Sequence, residues 1–189
     1  LKQLRKDADL FRSFDQLDAE TTIGRFYGRV IEGMEAAATI PVFMYFASPN
    51  HGIPEEQVER GLGALESWVI RRTLLRMTSK DINRLMLSGL KAIDGGSPES
   101  SGVTLAEFLA GQDADSRVWP SDEYVRTQLP GAVMYRNVKQ SRLRVVFAAL
   151  EQRLRESSPF TEAVKVPDWL QIEHIMPRAG QAPRDGVAV

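Results

Sequence analysis

Cysteine is absent from the 189 residues, and histidine occurs only twice. The first absence excludes disulfides, zinc-thiolate sites and a cysteine nucleophile. It fits a reducing compartment, and a cytoplasmic location is expected. The second confines imidazole chemistry to His51 or His174. Excess charge is missing as well. The 24 Lys and Arg face 25 Asp and Glu, a net charge of −1, so nothing in the global balance marks a nucleic-acid binder. No apolar run approaches the ~18 residues of a membrane span, and no membrane partner is expected. The opening Leu-Lys-Gln-Leu-Arg-Lys is not a signal peptide. Because the first residue is not Met, the chain reads as an excised piece of a longer protein. No glycine loop of the phosphate-cradling kind occurs; "GLGAL", residues 61 to 65, lies inside a helical pattern.

What is present is enough apolar residue, 43%, for a real core. The apolar spacing predicts an all-α fold, a bundle of about seven helices with a short C-terminal extended segment. Leu10, Phe11, Phe14 and Leu17 mark a first helix over 4–17. Thr21-Thr22 starts a second that runs to Met34. Pro41 opens an apolar, buried stretch through Phe46. Pro54 and two acids open the clearest helix, Glu55 to Met77, with Val58, Leu62, Leu65 and Val69 in one stripe. Ser79 is expected to cap the next. Residues 95–102, "GGSPESSG", form a connector and a possible sub-boundary. Thr104 to Glu107 matches a capping box, and Ser121 starts a further short helix. A long amphipathic helix is expected over 135–155. The helical domain is assigned to 1–160. Residues 161–189 read as a linker, a strand over Leu170–Ile175 and a loosely ordered tail.

That strand lies in "LQIEHIMPR", residues 170 to 178. A metal nuclease needs a base to activate water, and an imidazole suits the task. It also needs a cation to offset charge on phosphate, and a carboxylate can hold one. Neighbouring strand residues point to opposite faces, so Glu173 and His174 converge only if the strand twists or ends, which Pro177 would promote. The bland reading is an exposed Glu beside a half-buried structural His. The stretch resembles the Ile-Glu-His-Ile-x-Pro motif that opens the HNH-like C-terminal nuclease domain of GmrSD-type modification-dependent restriction endonucleases. "ALESWVIRRTLLRMTSKDINRLM", residues 64 to 86, is similar to the helical middle of the same family, in the same order along the chain. Together the two matches cover about 20 to 178.

The resemblance implies a bacterial defence endonuclease that cuts modified or foreign DNA. Carried over, His174 would be the general base, and Glu173 would hold a divalent metal, magnesium, or orient that base. A nucleotide would bind an N-terminal domain that lies outside this chain, as would the rest of the nuclease domain. The 189 residues would be the helical middle plus the first nuclease strand, and are expected not to cut DNA alone.

The arginines admit two readings. Arg72 and Arg76 fall on the apolar side of their helix. A buried cation there must find a carboxylate or helix-end carbonyls, which makes Arg72 a clamp between helices. Arg71 falls opposite, either solvated or on a DNA backbone or neighbouring domain. Arg136, Lys139, Arg142, Arg144, Arg153 and Arg155 face one acid, Glu151, within 136–155. A solvated amphipathic helix explains them, and phosphate contact through Arg142 and Arg144 is the sharper reading. The alternative for the whole chain is a non-catalytic helical interaction or DNA-binding module.

Overall fold

The computed structural model describes residues 2–157 and Ile172. The fold is all-α, and no strand occurs among the described residues. The chain divides into two compact units, Leu1–Val146 and Phe147–Val189. The expected linker, strand and tail lie outside the described residues, Ile172 excepted.

In the first unit, α1 (Lys2–Arg12) ends in a 3-10 turn that buries Phe14. The Thr21 hydroxyl caps α2 (Thr22–Phe26) by accepting the Gly24 N–H at 3.1 Å. The chain continues as π-helical turns over Tyr27–Gly33 and buries Val30 and Met34. Pro41 sits in the first turn of α3 (Ile40–Ala47), which buries Val42, Phe43, Tyr45 and Phe46. The Phe43 ring meets Phe14 edge-on at 5.0 Å and stacks on Phe26 at 5.6 Å.

The central helix is α4 (Glu55–Leu74), whose stripe Val58, Leu62, Leu65 and Val69 is buried with Trp68. It packs most extensively on α6 (Ser101–Ala110), through Leu105 and Leu109. Each such side chain, fully buried, contributes ~1.5–3 kcal/mol, so this seam outweighs any exposed ion pair. Between them in the chain, α5 (Ile82–Asp94) adds Leu85, Met86 and Ile93 to the same core. The connector after it is therefore a surface turn between two helices of one core. The unit boundary falls at Val146–Phe147.

Three helix ends differ from the sequence expectation. The α6 helix begins at Ser101, not at the Thr104 capping box. Its first amides are satisfied from elsewhere: the Gln57 side-chain oxygen accepts the Gly102 and Val103 N–H groups at 3.1 and 3.2 Å. The backbones approach so closely that a Cβ at Gly102 would collide with the Gln57 carbonyl. Ser79 does not cap α5 with its hydroxyl. Asp81 holds the N-cap at φ 69°, and its carboxylate pairs with Arg117. The α4 helix stops at Leu74, short of Met77.

Toward the end of the unit, Ser121 caps α7 (Asp122–Gln128) through the Tyr124 N–H at 3.1 Å. The expected 135–155 helix is split into α8 (Met134–Asn137) and α9 (Gln140–Ser157). The break is Val138, extended and only 7% exposed, which leaves the helical path and is buried there. The second unit contains the last turns of α9, where Arg155 pairs with Glu151 at 2.7 Å and Phe147, Leu150 and Leu154 are exposed.

Candidate functional site

The arginine pair predicted at the end of α4 is well resolved into roles. Arg72 is 5% exposed, and among the described residues no carboxylate pairs with it. Its guanidinium donates to the carbonyls of Thr78 at 2.7 Å, Val118 at 2.8 Å, Ser116 at 2.9 Å and Asp115 at 3.3 Å. It also lies 4.9 Å from the centre of the Trp68 ring. Burial lowers its pKa from the ordinary arginine value, yet a guanidinium in a protein stays charged. Carbonyl dipoles therefore stand in for a counter-ion. The clamp grips a loop and Thr78 rather than a second helix. Trp68 reinforces it, donating from Nε1 to the Arg117 carbonyl at 2.8 Å. Arg71 grips the next residues, donating to the Pro120 carbonyl at 2.8 Å and pairing with Asp122 at 2.5 Å.

Arg76 leaves this pattern because the helix has already ended. It is exposed, at φ 53°, and its side chain has no hydrogen bond or ion pair among the described residues. It lines a cavity of about 400 Å³ between the end of α4 and the segment from α7 to α8. Leu74, Val133, Met134 and Val138 form apolar walls, and Tyr124, Gln128 and Asn137 add polar groups. Sequence reading missed this cleft. The one local signal is Tyr124, Thr127 and Gln128 at helical spacing on α7.

The predicted phosphate contacts on the basic helix are not equivalent. Arg142 and Lys139 both bind the Glu35 carboxylate, at 2.9 and 2.6 Å, whereas Arg144 is exposed and has no partner among the described residues. The hydrogen bond from Lys139, and then that from Arg142, hold the Glu35 carboxyl below its ordinary pKa. On α4 the Glu66 carboxyl is shifted the other way: burial raises it, and Arg29 at 3.6 Å opposes the rise. His51 donates from Nδ1 to the Tyr45 carbonyl at 2.9 Å, and its ring lies 4.3 Å from that of Tyr45, a structural loop role.

Glu173 and His174 lie outside the described residues. Among the described residues no group of three or more His, Asp or Glu could hold a metal ion. Nor is any helix among them long and apolar enough to cross a membrane. No family model, curated protein or solved structure matches the chain.

Proposed function

We propose that the chain is the helical region of a bacterial defence endonuclease acting on modified or foreign DNA, and that it supports an HNH-like nuclease domain. In this reading His174 is the general base, and Glu173 holds a divalent cation or orients that base. The cation would offset charge developing on the attacked phosphate. In this reading Glu173 is one of its ligands.

One observation carries the reading. The residues that make the helical resemblance, Trp68, Arg71 and Arg72, all hold the segment from Asp115 to Asp122 against α4. A scaffold requires its motif residues to be structural, and these are. The test is magnesium-dependent cleavage of modified and unmodified DNA by the natural full-length protein beside its His174→Ala variant. Cutting by the first and not the second supports the reading. Equal cutting removes His174 from the base role.

DNA contact along α9 has a separate test. Arg142 and Lys139 reach phosphate only by leaving Glu35. Glu35→Gln should then tighten binding of duplex DNA and steepen its salt dependence. Unchanged affinity would leave the basic helix a solvated face. A second reading, a helical interaction module, is favoured by Phe147, Leu150 and Leu154, which are 43%, 55% and 65% exposed along one stretch of α9.

A further inference from the structure

Among the described residues, three residues other than glycine have a left-handed backbone: Glu35, Arg76 and Asp81. All three are charged. That conformation disfavours any side chain with a Cβ, and such residues persist where something else holds them. Two of the three have an evident reason. Glu35 pairs with Lys139 and Arg142, and Asp81 pairs with Arg117 and Arg84. Arg76 carries the same strain and pairs with nothing among the described residues.

Its backbone position sharpens the point. The Met77 N–H donates to the Arg72 carbonyl at 2.9 Å, and the Arg76 N–H to the Thr73 carbonyl at 3.1 Å. These two bonds make a Schellman turn with Arg76 where glycine is preferred. The fold alone would be better served by glycine. Instead a long cation, unpaired among the described residues, lines the cleft. Arg76 is charged and none of the described lining residues is acidic, so the site favours an anion. Its volume of about 400 Å³ falls within the ~300–1,000 Å³ of small-molecule clefts. Tyr124, 48% exposed, offers an aromatic face, and Gln128 and Asn137 offer paired amide donors and acceptors.

We propose that this cleft binds a nucleoside monophosphate unit. Arg76 takes the phosphate, where a guanidinium fork matches the oxygens. Tyr124 takes the face of the base, and stacking is indifferent to its identity. The amides of Gln128 and Asn137 take its edge, the pairing that suits purine and pyrimidine donor-acceptor patterns. The unit can come from a free nucleotide or from a single strand. The proposal goes beyond the nuclease reading and does not depend on it, since His174 has no part in it.

The test is calorimetric titration of the 189-residue chain with dAMP and dCMP, with deoxyadenosine, with inorganic phosphate and with a single-stranded trinucleotide. The monophosphates should bind saturably, and deoxyadenosine and phosphate should each bind roughly tenfold more weakly or not at all. Arg76→Gly should weaken monophosphate binding by about tenfold while raising the melting temperature by roughly 2 °C. A variant that is more stable cannot have lost binding by unfolding. Tyr124→Leu should weaken dAMP binding and leave that of inorganic phosphate unchanged. A trinucleotide that binds tighter than dAMP assigns the strand as the source; equal binding assigns the free nucleotide. No saturable monophosphate binding at millimolar concentration, or unchanged binding by Arg76→Gly, overturns the proposal.

Discussion

Two segments lie against the last turns of α4, and they meet its arginines in opposite ways. From Asp115 to Asp122 the chain presents carbonyls and one carboxylate, and each finds Arg72, Arg71 or Trp68. From Tyr124 to Val138 the chain stands off and leaves a cleft, with Arg76 beside it and unpaired among the described residues. Arg72 and Arg76 are four residues apart in sequence. What separates them is the helix end at Leu74, which keeps one in the core and turns the other outward. A cation that is buried must be matched, whereas one that is solvated can wait for a ligand.

The strongest way to break this contrast is Arg72→Ala. It leaves four carbonyls facing a hole and removes the cation packed on Trp68. We expect a loss of roughly 3–5 kcal/mol, read from urea unfolding. Arg72→Lys should recover less than half, because an ammonium has no planar fork to span the four acceptors. A loss below about 1 kcal/mol for Arg72→Ala would mean that the loop holds itself.

The clamp was partly legible in the sequence, and the cleft was not. A charge placed in register with Val58, Leu62, Leu65 and Val69 has to find acceptors, so the role of Arg72 follows from periodicity. Its acceptors do not, because backbone carbonyls have no sequence identity and three of the four come from a loop 43 to 46 residues away. A similar long-range contact hides the start of α6, where Gln57 satisfies the Gly102 and Val103 amides and the helix begins ahead of Thr104. Arg76 was expected on the apolar side because no Gly or Pro announces the end of α4. The break at Val138 is similar: the helical pattern runs through it, and only its burial shows why the chain departs. Ser121 was legible because its cap is local.

A smaller effect is expected at Arg71. Its bonds to Pro120 and Asp122 are partly exposed, with 28% of the arginine side chain open to solvent. Arg71→Ala should cost about 1 kcal/mol, and high salt should reduce the difference. A loss equal to that of Arg72→Ala would make the two arginines one cooperative unit and not a core clamp with a surface tie. Smaller still is Tyr124→Leu. The residue is 48% exposed, so stability should move by no more than about 0.5 kcal/mol. A larger loss would make the cleft a packed region that merely looks open.

The smallest effect should come from Glu35, and pH separates its cause from others. Glu35 shares its backbone strain with Arg76 but differs in being paired. The Lys139 hydrogen bond, and then that of Arg142, depress its carboxyl in the folded protein. Between the folded and the ordinary pKa the unfolded chain binds more protons, so stability rises with pH there. The contribution is thus complete above the ordinary carboxylate range and disappears as pH falls through the lowered folded value. Glu35→Gln should therefore melt slightly below the wild type at neutral pH, and the two should converge in acid. A gap that persists in acid would assign the loss to something other than the charge of the carboxylate. In that case pairing would not explain why a charged residue is kept at this position, and the contrast drawn with Arg76 would weaken with it.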